Sequence, residues 1–259
     1  MPNWCDTVVR FKGNVIDVNN AYKAIDAINS IPDSSVPEKG WLGYLNEFIY
    51  PDQFNFNDFL DQLNNADEKD HTSIKMNRTD LYSLNDCRGW IQNYNVYKIS
   101  DNPDRWGLEI SIMDAWCPHD DILQYFALRY NLDISMSWEE PGMCLYGNYD
   151  PTGAEDWPDW SFDIRLPGFE GRIHCSNDEL ENDEIEWPDQ FTDWLTDNNK
   201  TITCDNIRLL AEEFMQWLED NDPDSDKYGC WFIVNQFEDV QLNLPTEIPA
   251  YEKPEPSEY

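Results

Sequence analysis

In a chain of 259 residues, 52 acidic side chains stand against 17 basic ones, for a formal net charge of −35 at pH 7. No other feature constrains the fold as strongly. A folded chain of this length has a radius of gyration of about 18 Å, so like charges are forced together and repel. A compact state then survives only if a substantial apolar core outweighs that repulsion. The residues for such a core are present: 12 Trp, 13 Tyr and 12 Phe supply apolar surface that solvated acidic chains lack. The charge also sorts partners. Nucleic acid and anionic membranes both recruit Lys and Arg, so neither is an expected direct contact. The expected partner is basic.

There is no run of about 18 apolar residues, and Met1-Pro2-Asn3-Trp4-Cys5-Asp6 lacks the basic and apolar regions of a signal peptide. The expectation is a soluble chain acting in the cytoplasm. The seven cysteines (5, 87, 117, 144, 175, 204 and 230) are scattered without a C-x-x-C pair, which favours free thiols over disulfides or a zinc ribbon. The histidines (71, 119 and 174) lack metal-ligand spacing. No metal and no cofactor are expected.

Along the first half, Thr7 to Lys12 has strand-forming residues and ends at Gly13, and Ala21, Tyr22, Ile25 and Ile28 mark a helix over 19–28. Residues 30–51 read as a long connection and 54–63 as a short helix. Leu108, Ile110 and Ile112 alternate in a strand over 107–114. Pro118 precedes a helix with Ile122, Leu123, Tyr125, Phe126 and Tyr130 on its apolar face. Leu132, Ile134, Met136 and Trp138 alternate again, and Pro141-Gly142 turns into a last strand over 143–149. This order predicts an α+β domain with helices on one face of an antiparallel sheet, in which Trp4, Trp116 and Trp138 pack structurally.

Three segments carry a resemblance: Met1-Pro2-Asn3-Trp4-Cys5, Asp114-Ala115-Trp116-Cys117-Pro118, and Trp138-Glu139-Glu140-Pro141-Gly142-Met143 leading to Tyr146-Gly147-Asn148-Tyr149. Residues 1–150 resemble the YubB-type ferredoxin-like domain family carried by phages and plasmids. Where that family commonly reads N-W-G-T-K-W, this chain has Asn93-Tyr94-Asn95-Val96-Tyr97-Lys98. The resemblance implies a ferredoxin-like sheet covered by helices, without an iron-sulfur cluster, and a mobile-element origin; it implies no activity.

The composition then shifts. Residues 1–150 hold 24 acids and 11 bases, whereas 151–259 hold 28 and 6. The expected division is a ferredoxin-like domain over 1–165, a smaller acidic α/β domain over 166–244, and a Pro- and Glu-rich tail over 245–259. In the second part, Trp187-Pro188 opens a helix through Phe191, Trp194 and Leu195. Asp205 is the expected cap of another, with Ile207, Leu210, Ala211, Phe214, Trp217 and Leu218 as its apolar stripe. A strand is expected over 230–234.

Two acidic runs occur here: Asp178, Glu179, Glu181, Asp183, Glu184 and Glu186, then Glu219, Asp220, Asp222, Asp224 and Asp226. Glu212 and Glu213 flank the stripe of the second helix. A solvated loop is the ordinary explanation of such a run, but the global charge asks for more. Asp220-x-Asp222-x-Asp224 opens like an EF-hand loop, yet Ser225 replaces the turn glycine and Trp231 the bidentate Glu. No nucleophile elbow or phosphate-cradling loop appears, and Cys117-Pro118-His119 reads as a helix start rather than a nucleophile-base pair. The reading favoured is a non-enzymatic DNA mimic, an inhibitor whose carboxylates occupy the basic DNA-binding surface of a host defence system such as a restriction or CRISPR nuclease. Thirty-five charges match about 60 Å of duplex at one charge per ~1.7 Å. The alternatives are a phage or plasmid accessory protein that binds another basic host protein without mimicry, and a carboxylate-dependent enzyme.

Overall fold

A computed structural model describes residues 3–31, 40–65, 88–99, 104–222 and 228–251. The chain divides into two compact units: Met1–Leu145, Tyr149–Pro151 and Val240–Tyr259 form the first, and Tyr146–Asn148 with Thr152–Asp239 the second.

The first unit opens with strand β1 (Trp4–Asn14), whose alternation buries Cys5, Thr7, Val9 and Phe11. Asn14 ends the strand and caps helix α1 (Val15–Asn29), its side-chain oxygen accepting from the amides of Ile16 and Asp17 at 3.0 Å. The helix therefore starts ahead of the apolar spacing that marked it. The stretch expected as a plain connection contains helix α2 (Leu45–Ile49). Trp41, Leu42, Tyr44 and Leu45 there are buried because their apolar surface joins the core. Helix α3 (Phe56–Asn65) follows with Phe56, Phe59 and Leu63 inward.

Strand β2 (Gly89–Lys98) was not foreseen; it pairs antiparallel with β3 (Arg105–Ala115). Helix α4 (Asp120–Arg129) leads to β4 (Asp133–Glu140), and a turn at Pro141-Gly142 to β5 (Leu145–Tyr149). The hydrogen-bonded strand order is β2-β3-β1-β4-β5-β9, of which β9 (Glu238–Asp239) and Tyr146–Asn148 of β5 belong with the second unit. The pairs β2-β3, β3-β1 and β1-β4 are antiparallel, and β5-β9 is parallel. The four segments expected to share one sheet do so. Helices cover one face: Val18, Ile25 and Ile28 of α1 and Ile122, Leu123 and Phe126 of α4 join Val9, Phe11, Ile110, Ile134 and Met136 in one core. Each such side chain contributes roughly 1.5–3 kcal/mol on burial, which is how a chain this charged stays folded.

In the second unit, β6 (Trp160–Leu166) and β7 (Phe169–Cys175) form a hairpin through Pro167-Gly168, with Gly168 at φ 87°. A side chain at that φ is strained, which is why glycine follows proline here. β8 (Trp231–Gln236) pairs with the other side of β6, giving the order β7-β6-β8. Helices α5 (Asn177–Glu181), α6 (Asp189–Asp197) and α7 (Ile207–Asn221) supply Leu180, Phe191, Trp194, Leu210 and Phe214 to a core shared with Phe162 and Phe232.

Three expectations change. A boundary between 165 and 166 falls inside β6 and would split a hairpin whose register runs to Leu166↔Phe169. Residues 240–251 belong with the first unit, where Ile248 and Tyr251 pack on its core and the Tyr251 ring lies 4.9 Å from Phe54; residues 252–259 of the expected tail lie outside the described part. Asp205 does not cap α7. Asn206 holds that position, its side chain accepting from the Thr203 amide, and Trp217 of the expected stripe is 41% exposed.

Candidate functional site

The two units treat carboxylates in opposite ways. Among the described residues, every buried carboxylate (Glu47, Asp114, Glu139 and Glu140) belongs to the first unit. Glu140 accepts from the amides of Gly142 and Met143 at 3.0 and 2.6 Å and so holds the β4-β5 turn. Asp114 accepts from the Thr7 hydroxyl at 3.0 Å and contacts His119 Nδ1 at 2.8 Å. Burial pushes the Asp114 carboxyl above its ordinary value, against the pull of these partners. The Arg88 amide donates to His119 Nε2 at 2.9 Å, so Nδ1 carries the ring proton toward Asp114. Both ring nitrogens are thereby occupied in tying the end of β3 and the residue before β2 to the start of α4, and neither serves Cys117 as a base. Burial and the nearby Asp114 and Asp120 also push the Cys117 thiol up. Gly89 stands beside Asp114 because a Cβ there would lie 2.1 Å from the carboxylate oxygen.

The acids singled out in the second unit sit differently. Asp178, Glu179 and Glu181 lie on α5 and its end, Asp183, Glu184 and Glu186 in the turn that follows, and Glu212, Glu213, Glu219 and Asp220 on α7, with Asp222 just beyond. Asp224 and Asp226 fall outside the described residues, as does much of the EF-hand-like stretch. All of the described ones are exposed except Glu213 and Asp222, which are half-buried. Two have structural tasks. Glu179 and Ser176 form a reciprocal capping box, whose hydrogen bonds hold the Glu179 carboxyl below its usual value. Glu213 pairs with Lys200 at 3.0 Å. By contrast, Asp178, Glu181, Asp183, Glu184 and Glu186 form no ion pair with a described Lys or Arg.

The four described Lys and Arg side chains of this unit have other partners. Arg165 pairs with Glu170 and lies over the Trp231 ring, Arg172 pairs with Asp163, Lys200 with Glu213, and Arg208 lies over the Trp160 ring. By strand alternation Asp163 and Arg165 share the face of β6 opposite the buried Phe162 and Ile164. Arg165 and Arg172 thus lie on the sheet face opposite the core, whereas Lys200 stands beside part of the first acidic run and Arg208 on α7.

Part of that run converges. Glu181, Asp183 and Glu186, joined by Asp189 and Lys200, rim a cleft of about 590 Å³ with an apolar floor that includes Leu180, Ile185 and Trp187. Asp189 was missed in the sequence, although an acid just after Trp187-Pro188 sits in the first turn of α6, where the helix dipole favours it. Among the described residues no group of three or more His, Cys, Asp or Glu side chains forms a metal site, and no helix is long and apolar enough to cross a membrane. Comparison with protein-family models, with curated proteins and with solved structures finds no match.

Proposed function

We propose that the protein is a non-enzymatic inhibitor whose second unit presents carboxylates in place of DNA phosphates to a basic DNA-binding surface, that of a host defence nuclease or its recognition complex. The observation that carries this reading is the exposed acidic run at 178–186, which has no ion pair with a described Lys or Arg; Lys200, the base beside it, is paired with Glu213. Display is rigid because α5, α6 and α7 are pinned by an aromatic core, with ring centroids such as Phe191–Phe214 at 5.1 Å. Carboxylates one turn apart on such a helix are about 5.4 Å apart along its axis. Inhibition is occlusion: carboxylates pair with Lys and Arg that otherwise hold phosphate, and counterion release makes the contact sensitive to salt.

For the first unit the reading is a ferredoxin-like domain, with α1 and α4 as crossovers and β4-β1-β3-β2 as its four strands; the antiparallel register of those strands supports it. A phage or plasmid origin, implied by the resemblance of residues 1–150, supplies a biological reason for such an inhibitor.

The test is affinity capture from a bacterial lysate, followed by competition on the purified partner. A mimic and duplex DNA exclude each other; simultaneous binding of both sinks the proposal. The acidic cleft favours a second reading, in which an accessory protein takes Lys or Arg side chains of a basic host protein, stem on the apolar floor and head at the rim. In that case a basic peptide competes and duplex DNA does not.

A further inference from the structure

In the first unit an open cleft of about 630 Å³ lies beside Trp4, Trp90, Met113, Asn29, Gln92 and Arg88. Its chemistry runs against the rest of the chain: with 52 acids in the sequence, the one ionisable side chain lining this cleft among the described residues is a cation, Arg88. The register explains the aromatic wall. Trp90 pairs with Met113 and Trp4 with Ala115, on the sheet face opposite the buried Cys5, Thr7 and Ile112. The Trp4 and Trp90 rings meet edge to face at 5.7 Å, and Trp4 remains 38% exposed.

Two further details point to an occupant. The indole nitrogen of Trp90 is buried and has no hydrogen-bond partner among the described residues. On the adjoining cleft of about 500 Å³, which shares Arg88 as a wall, Trp116 is held at φ 76° by a bond from its amide to the Asn3 carbonyl and is 47% exposed. A bulky residue in the left-handed region is strained, by roughly 1–3 kcal/mol, and here no burial repays it. Both Trp4 and Trp116 had been expected to pack into the core.

The polar side chains lining the larger cleft are thus an arginine fork and two carboxamides, Asn29 and Gln92, with no carboxylate among them. That set accepts a negative charge, and the exposed indole offers a stacking surface for a flat ring. A polyanion is disfavoured by the field of the whole chain; a single charge close to Arg88 is not. We propose that this cleft is a binding site for a small aromatic monoanion, its ring against Trp4 and its carboxylate on Arg88. The site is built from residues of the first unit and does not depend on the reading of the acidic runs.

Three probes share one ring and differ in charge: indole-3-acetate, indole-3-acetamide and tryptamine. Titrated against the full chain and followed by the indole N–H resonances in NMR, the acetate is expected to bind about tenfold or more tighter than the acetamide, the advantage of a charge-assisted hydrogen bond, and to shift the Trp90 resonance. Arg88→Gln removes that advantage. Its fold survives, because the amide that donates to His119 and the carbonyl that accepts from Ala115 belong to the backbone. Arg88→Lys keeps part of the advantage, and Trp4→Ala loses binding of all ring probes. Tryptamine binding as tightly as the acetate, an unchanged affinity in a folded Arg88→Gln variant, or no acetate binding at millimolar concentration each overturns the proposal.

Discussion

The first unit takes carboxylates inside and uses them; the second keeps every described one at or near its surface. Asp114 and Glu140 are at most 1% exposed and hold backbone and side-chain donors that close the sheet at its turns. The cores differ in parallel. The first is rich in Ile, Leu and Val, whereas the smaller unit is built round a ring network of Phe162, Trp187, Phe191, Trp194, Phe214 and Phe232. Because each large ring buries some 150–250 Å², few positions suffice for a core, and the outward positions of α5, α6 and α7 are left for charge. Acids with internal partners are thereby separated from acids without them, and only the latter are candidates for binding.

The comparison breaks most directly at the aromatic core. Phe214 is fully buried against Phe191, Trp194 and Phe232, so Phe214→Ala is expected to cost about 3–5 kcal/mol. Hydrogen exchange should then lose protection across β6, β7 and β8 while β1 and β3 keep theirs; uniform loss would mean that the two cores are one energetic body. Next in size is a quadruple reversal, Glu184, Glu186, Glu212 and Glu219 each to Lys. Exposed pairs are worth roughly 0.2–1 kcal/mol each, so affinity for a basic partner should fall by about fourfold to nearly a thousandfold. Thermal melting should hold or rise as repulsion is relieved.

Titration sharpens the other side. The buried Asp114 carboxyl is held above its ordinary 3.8 in the folded chain, so the folded state binds that proton more tightly than the unfolded one. Its contribution is greatest below pH 3.8 and is lost as pH rises through the raised value. Melting curves of the unmodified protein and Asp114→Asn should therefore diverge with rising pH in favour of the variant, and a constant difference would refute the assignment. The smallest effect is expected from Ser176→Ala, which removes one half of the α5 capping box. A cost of about 1 kcal/mol should appear in chemical denaturation, with Glu179 titrating closer to its ordinary 4.5 in NMR.

Alternation identified the inward residues of β1, β3 and β4, since side-chain direction in a strand repeats every two residues. β2 escaped because a register shift between Ile91 and Asn93 breaks that period, and Asn93, Tyr94 and Asn95 carry no clean apolar pattern. The β6-β7 hairpin was more legible than the reading made it: Pro167-Gly168 is a turn signal between two strand-like runs. For the candidate site, the acidic runs were visible as sequence, but not the removal of Glu179 into a cap and Glu213 into a pair with Lys200, thirteen residues away.

What the sequence alone determined is the sign of the chain, the presence of enough aromatic surface for a core, and the local devices that act over a few residues, such as the Pro-Gly turn and the Ser176–Glu179 box. Only the tertiary structure decided which carboxylates are internal. Asp114 and Asp183 are the same residue type in an acid-rich chain, but Asp114 meets Thr7, 107 positions away, and a histidine locked by the Arg88 amide. Asp183 forms no ion pair with a described Lys or Arg. It also decided that Trp4 and Trp116 face outward, one by strand register and the other by a left-handed backbone tied to Asn3. The physical reason is one of range: propensity and capping act between neighbours in the chain, whereas burial and the pairing of charge are set by residues that only the fold brings together.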